Sequence, residues 1–350
     1  MIKLIIDTAG GDNSPAAPVE AAVQALKKNE ELYIIFTGNE ADIRSELAKY
    51  DPVDTDRYEI VHAPDVITGD DKPTEAIRLK PESSMMKGIK LLRTGEDIDG
   101  MVSTGATGAL VAAATVRIGR IPGVIRPVFC PIIPDVNGGV CGISDSGANI
   151  KCTPDQLLQF AAMGKLYLKA VFGIDNPRIA LLNIGTEAEK GDSVHKDAYK
   201  LLSKVYGDSF VGNMEGRDLL SGNYQLIIAD GFSGNILVKT MEGTALELMK
   251  LLKKKIYSKT RYKVGAMLMK SMFDEIKGFM NYQNYGGSVL LGTEKIIVKG
   301  HGSSNALSIE KCIEQALTMR RYNLNAQIEQ EIAGIQEYMG VYTGEDHTSI

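Results

Sequence analysis

The sequence predicts an α/β chain built on a mostly parallel sheet with helices on both faces. Three observations carry this. Short β-branched runs alternate with longer segments of helical periodicity, the order expected of βαβ units. Two of those runs, IALLNIG and LIIAD, are almost continuously apolar, as in strands covered on both faces. The chain of 350 residues is 44% hydrophobic and 24% charged, enough apolar side chain for the core of about two domains.

Taken in order, strands are predicted over 3–6, 32–37, 59–62, 100–103, 178–184, 226–229 and 295–298. Helices are predicted over 18–29, 42–50, 84–94, 108–118, 155–172, 196–205 and 305–323. The stretch from 327 opens as a helix and ends in a polar tail. No apolar run reaches the ~18 residues that span a bilayer. The first residues form too short an apolar stretch for a secretory leader, so a cytoplasmic protein is expected. Net charge is −5, which argues against nucleic acid as a partner. The four cysteines (Cys130, Cys141, Cys152, Cys312) form no CxxC pair and have no histidine at ligand spacing, so buried thiols are expected and a metal is not.

Open sheets of this class bind ligands beyond the carboxyl ends of their strands. Six loops in such places share one composition, glycine with Ser, Thr, Asn or Asp. They hold Asp7, Gly10, Gly11 and Asp12; Thr104, Gly105, Thr107 and Gly108; Asp145, Gly147 and Asn149; Asn183, Gly185, Thr186, Glu187 and Lys190; Asp230, Gly231, Gly234, Asn235 and Lys239; and His301, Ser303 and Ser304. Glycine-rich turns and helix starts are anion sites, and six together point to a polar anion cleft rimmed by main-chain N–H donors. Each loop taken singly also reads as a plain turn or cap, and Ser303 also reads as a helix cap. No dinucleotide fingerprint, P-loop or nucleophile elbow is present.

A second feature is electrostatic. Between 248 and 273 stand Lys250, Lys253, Lys254, Lys255, Lys259, Arg261, Lys263 and Lys270, with no acidic residue among them. Eight positive charges against a whole-chain net of −5 leave the remainder at −13. Leu248, Leu251, Leu252 and Ile256 recur at helical spacing, followed by Val264, Met267, Leu268, Met272 and Phe273. The segment 244–280 therefore reads as a basic amphipathic helix or helical hairpin. It suits an acidic protein partner or an anionic membrane surface, or else forms a solvated lysine face over a dimer contact.

In their order, these loops resemble the bacterial PlsX family of phosphate acyltransferases, from residue 1 to about 329. The matching residues are Asp7, Gly10, Gly11 and Asp12; Ser83, Ser84 and Met85; Asp145, Gly147, Ala148, Asn149, Cys152 and Pro154; NIGTE at 183–187 with Lys190 and Gly191; FVGNMEGRD at 210–218; DGFSGN at 230–235 with Lys239; YGG at 285–287; and HGSS at 301–304. The chain departs from the family pattern at Thr8 and Ala9, at Lys80-Pro81-Glu82, and at Ala106, where an Asn is expected.

The resemblance implies a fold similar to that of the isocitrate and isopropylmalate dehydrogenases, one domain over 1–330 made of two intertwined lobes, a protruding basic hairpin at 244–280, and a tail at 331–350. It implies transfer of a fatty acyl group from acyl-[acyl-carrier protein] to inorganic phosphate, with no cofactor, in a homodimer. The product would pass to a membrane acyl-phosphate:glycerol-3-phosphate acyltransferase for phospholipid synthesis, with the enzyme peripheral on the inner membrane face. Phosphate is already anionic near neutral pH, so such chemistry needs no covalent enzyme nucleophile. Positioning supplies ~7–11 kcal/mol and one oxyanion donor ~2.7–4 kcal/mol. On these grounds Asn149, Asn183, Thr186 and Lys190 are expected near phosphate, and Asp230, Asn235, Lys239 and His301 in the same cleft. Lys190, Lys239 or His301 would protonate the leaving thiolate. The basic residues Lys250, Lys253, Lys254, Lys255, Lys259, Arg261 and Lys263 would meet the acidic carrier or the membrane. Three other readings stay open: a phosphate acyltransferase using acyl-CoA, a non-catalytic scaffold that binds carrier or membrane, and a nicotinamide-dependent hydroxy-acid dehydrogenase.

Overall fold

The computed structural model describes residues 1–50, 54–280 and 285–340. Strands β1 (Ile2–Asp7), β2 (Leu32–Gly38), β3 (Tyr58–His62), β4 (Gly100–Ser103) and β5 (Val128–Cys130) belong to a first sheet. Strands β6 (Ile132–Pro134), β7 (Val140–Ser144), β8 (Ile179–Asn183), β9 (Phe210–Glu215) and β10 (Leu226–Ile228) make a second. The chain then returns to the first sheet with β11 (Ser288–Leu291) and β12 (Ile296–Lys299). The spatial orders are β3-β2-β1-β4-β12-β11-β5 and β6-β7-β10-β8-β9. Pairing is parallel except at one edge of each sheet, where β11 and β6 run antiparallel to their neighbours.

The helices are α1 (Ala16–Lys28), α2 (Glu40–Leu47), α3 (Pro73–Leu79), α4 (Ser84–Thr94), α5 (Thr107–Ala113), α6 (Pro154–Phe172), α7 (Ser193–Tyr206), α8 (Gly231–Tyr257), α9 (Thr260–Leu268), α10 (Lys270–Met280), α11 (Ala306–Arg321) and α12 (Leu324–Ile335). Both faces of the first sheet are covered. Leu4, Ile6, Ile34 and Val298 pack in one cluster with α1, α6 and α11, while Ile5, Ile35, Met101 and Ile297 pack in another with α4 and α5. The period-two alternation of a strand sends consecutive apolar residues to opposite cores. Helix α6 buries 12 of its 19 residues. It starts with a Thr153–Gln156 capping box and packs against β7 and β10 as well as α11 and α12. It joins the two sheets into one body.

The structure adds what the periodicity did not show. The single predicted sheet is two. Strands β5 and β6 have three residues each, too short to show a period, whereas β10 falls within the strand predicted over 226–229. Helix α12 runs to Ile335 with Ile332 and Ile335 buried, so packed chain continues past the expected boundary at 330. Of the expected tail, 341–350 lie outside the described residues.

Candidate active site between the two sheets

Neighbouring parallel strands end together, so their loops meet. In the first sheet β1, β4 and β12 are adjacent. The Asp12 amide donates to the Gly302 carbonyl at 2.8 Å, and the Asn13 side-chain amide donates to the carbonyls of Ser303 at 3.2 Å and Ser304 at 3.0 Å. Gly10, at φ +83°, lies so close to Gly105 that an added Cβ would stand 2.9 Å from its Cα. In the second sheet the β7 loop meets the start of α8. The Gly231 amide donates to the Asn149 carbonyl at 2.7 Å, and an added Cβ at Gly234 would collide with the Asp145 carbonyl. Pro131 joins β5 to β6 and so brings the two loop groups to either side of one cleft.

That cleft has a volume of about 360 Å³. From the first sheet come Thr107, Phe129, Gly286, Gly287, Ser288, Lys299, Gly300 and His301; from the second come Ile132, Ile133, Ser146, Gly147, Asn235, Val238, Lys239 and Glu242. Three cationic or titratable nitrogens therefore share a space with Phe129, Pro131, Ile132, Ile133 and Val238. Lys239 pairs with Glu242 at 2.8 Å. Lys299 is 7% exposed, and desolvation lowers its pKa to about 8. His301 stands exposed at the mouth. Desolvation by its surroundings, and then the charge of Lys239, hold its pKa below the ordinary histidine value. Its Nδ1 accepts from the Ser303 amide at 3.2 Å, which puts the proton of the neutral ring on Nε2.

Among the sequence-predicted residues, Thr107, Gly147, Asn235, Lys239 and His301 line this cleft. A second set stands behind it and builds the loops. Asp7 is buried and accepts from Ser84 and, at 2.6 Å, from Ser103. Asp145 is buried and accepts from the amides of Phe129 (3.0 Å), Ser146 (2.6 Å), Gly147 (3.2 Å), Ala148 (3.0 Å) and Asn149 (2.7 Å). Desolvation raises the pKa of both carboxyls, although these donors oppose it. The Asn149 side chain is used on the Pro127 carbonyl and on Asp145. Asp230 caps α8 through the Ser233 amide at 2.8 Å. The expected rim of main-chain donors is thus largely spent within the loops: the β7 amides go to Asp145, and those of Gly11 and Gly105 go to the hydroxyls of Ser14 and Ser103.

Other predicted residues lie outside the lining. The β8 loop starts three strands in from the second sheet's β6 edge, and Asn183, Gly185, Thr186, Glu187 and Lys190 are absent from the cleft wall. The Asn183 side chain donates to the Lys190 carbonyl at 3.0 Å and closes its own loop. Gly11, Asp12, Thr104, Gly108, Ser303 and Ser304 also lie off the wall. The cap of α11 is Asn305, which accepts from the Ser308 amide at 2.9 Å, and Ser303 instead pairs with His301 at 2.8 Å. Ala106 occupies the N-cap position of α5 with no side-chain cap, so the family Asn at this place would serve a helix end. Sequence reasoning missed Lys299. Its signal was a lysine at the carboxyl end of IIVK, a strand otherwise apolar on both faces. The cysteines supply no nucleophile: burial pushes Cys152 and Cys312 up to about 12 and the other two higher.

Past the cleft, α8 continues into α9 and α10. Lys250, Lys253, Lys254, Lys255, Lys259, Arg261 and Lys263 are all exposed. So are Leu246, Leu248, Leu251, Val264, Met267 and Leu268, from 50% to 83%. Apolar and cationic surface therefore lie together on this arm. No helix among the described residues is long and apolar enough to cross a membrane.

Comparison with known proteins places the chain in a family. Residues 2–327 match the family described as "Fatty acid synthesis protein". The phosphate acyltransferase of Clostridium acetobutylicum is 44% identical over 329 residues, 94% of this chain and 98% of that protein. That of Clostridium tetani is 41% identical over 335 residues, 96% and 99% of the two chains. Among solved structures, a phosphotransacetylase from Streptococcus pyogenes superposes with a TM-score of 0.57 at 22% identity, covering 91% of this chain and 94% of that one. The EutD phosphotransacetylase from Staphylococcus aureus gives 0.54 at 15%, covering 95% and 94%. At those identities the two structures speak to the fold. The chain is an acyltransferase and belongs to the fatty acid synthesis protein family, within it to the phosphate acyltransferases of the PlsX type.

Proposed function

We propose that the protein transfers a fatty acyl group from acyl-[acyl-carrier protein] to inorganic phosphate, giving acyl phosphate for the acylation of glycerol 3-phosphate in phospholipid synthesis. The observation that carries this reading is the lining of the cleft, where Lys239, Lys299 and His301 share about 360 Å³ with Phe129, Ile132, Ile133 and Val238. One space thus suits an anion and the start of an acyl chain.

In the reaction a phosphate oxygen attacks the thioester carbonyl carbon, the carbon–sulfur bond breaks, and the thiolate leaves with its electron pair. The new bond joins the acyl carbon to the phosphate oxygen. The Nε2–H of His301 donates to the oxyanion formed on attack. The Lys239 ammonium lies against the leaving sulfur and supplies its proton. Asp145 and Asn149 act through the β7 loop, which they hold against α8. The exposed basic arm supports the carrier as donor, since complementary charge steers an acidic partner. The same arm carries exposed leucines and methionines, which support contact with an anionic membrane or with a second copy in a homodimer. The reading retains the fold likeness to the isocitrate and isopropylmalate dehydrogenases.

The test is a side-by-side assay of purified protein with palmitoyl-carrier and with palmitoyl-CoA, each with inorganic phosphate, trapping acyl phosphate with hydroxylamine. The carrier thioester should be consumed faster, with one hydroxamate per thiol released. Equal or faster use of the CoA thioester would assign the donor to CoA, and no phosphate-dependent product from folded protein would leave a binding scaffold.

A further inference from the structure

Lys299 is the most enclosed of the cations that line the cleft, 7% exposed at the carboxyl end of β12. Its ammonium donates to the carbonyl of Thr104 at 3.3 Å and to that of Gly300. Both acceptors are neutral, and the residue forms no ion pair among the described residues. Charges and titratable groups face it from three sides. Asp7 at the end of β1 is buried, and its oxygens already accept from Ser84, Ser103 and the Ala9 amide. Burial raises its pKa, while the charge of Lys299 opposes that shift. Cys312 on α11 is buried, with its thiol pushed up to about 12 and therefore neutral. Lys239 on α8 adds positive charge, and so does His301 when protonated. A buried ammonium with no carboxylate hydrogen-bonded to it is costly unless an anion reaches it. Lys299 is buried, and it lines the cleft.

We propose that Lys299 anchors the phosphate substrate, its ammonium serving as the buried counter-ion that an oxyanion completes on entering the cleft. This deepens the function proposed above by naming the group that holds the nucleophile. The anion site itself does not depend on which thioester is used. Arginine at the same place would keep the charge, and methionine would keep the length without it.

The experiment measures the melting temperature of wild type, Lys299→Met and Lys299→Arg against inorganic phosphate from pH 6.5 to 9.5, with KM for phosphate determined alongside. Phosphate should raise the wild-type melting temperature, and Lys299→Met should lose most of that response. KM for phosphate should rise about 10- to 100-fold in Lys299→Met, the loss expected for one charge-assisted hydrogen bond, with KM for the thioester little changed. Wild type should lose its phosphate response above about pH 8 as the ammonium loses its proton, and Lys299→Arg should keep it. Comparing variants at one pH cancels the titration of phosphate itself. A normal phosphate response in Lys299→Met, or none in wild type, overturns the proposal. If Lys299→Met fails to fold, the comparison of wild type with Lys299→Arg across pH 8 decides, and a parallel decline in both overturns it. Absence of acyl phosphate with the phosphate response intact would instead count against the acyl-transfer reading alone.

Discussion

Burial and hydrogen bonding divide the residues of this site into two kinds. Asp7, Asp145, Asn149 and Asp230 have their polar atoms turned to the protein, whereas Lys239, Lys299 and His301 line the cleft. Lys239→Met and His301→Gln should each lower kcat for acyl phosphate formation about 100-fold without changing the melting temperature, as expected when a transition-state contact is lost. Because His301 is held below the ordinary histidine value of ~6.5, its neutral form should persist as pH falls, so the acid limb of the rate profile should lie below pH ~6.5 and vanish in His301→Gln. Lys299 should show the stability cost of a functional group. Its folded pKa, about 8, lies below the unfolded value of 10.5. The folded state then binds fewer protons between these values, so this group's contribution to stability rises from pH 8 to about 10.5. Without phosphate, Lys299→Met should be more stable than wild type at pH 7, by on the order of 3 kcal/mol, and the gain should fade toward pH 10.5 in urea titrations. A gain that does not change with pH would contradict this. None of these roles could be read from spacing. An Asp at a strand end looks the same whether it meets a ligand or caps its own loop. Lys299 looks like a surface lysine until β4 and α11 are packed around it.

The elements show what short-range pattern can and cannot carry. Strands β1, β2, β4, β8 and β12 and helices α4, α6 and α11 fall within about two residues of their sequence predictions, because short apolar runs mark the strands and side-chain caps such as Ser83 and Thr153 mark helix starts. The three-residue strands β5, β6 and β10 exist through tertiary pairing, and β5 and β6 left no local trace of their own. Helix α8 illustrates a further point. Its first turn presses on the β7 loop at Gly234, and its far end is the exposed basic arm. Gly234→Ala should therefore destabilise the fold by about 3 kcal/mol and abolish activity together, since its Cβ meets backbone rather than a movable side chain. Lys253→Glu, Lys254→Glu and Lys255→Glu combined should leave stability and phosphate affinity unchanged. They should weaken carrier affinity at low salt, with the difference closing as ionic strength rises. At α5, Ala106→Asn should add ~0.5–2 kcal/mol to stability as a new N-cap, measurable by thermal melting.

At the scale of the whole molecule, the loops predicted to share one rim separate by sheet. Those of β4 and β12 meet those of β7 and β10 across the cleft, and the β1 and β8 loops lie off the wall. Composition and alternation predicted an α/β sheet with binding at strand ends. The division into two sheets was not visible, because it depends on β5 and β6 turning from one sheet to the other at Pro131. The central claim is that this intersheet cleft is where phosphate meets the acyl group. Asn235 is exposed on α8, lines the cleft and lies against Gly147, so Asn235→Trp should fill the cleft without disturbing the core. The decisive measurement is the rate of hydroxylamine-trapped acyl phosphate formation from palmitoyl-carrier and phosphate by Asn235→Trp and by wild type at matched melting temperature. The rate should fall about 100-fold, the scale of a misplaced reacting group. A blocked variant that turns over at the wild-type rate would place the chemistry elsewhere.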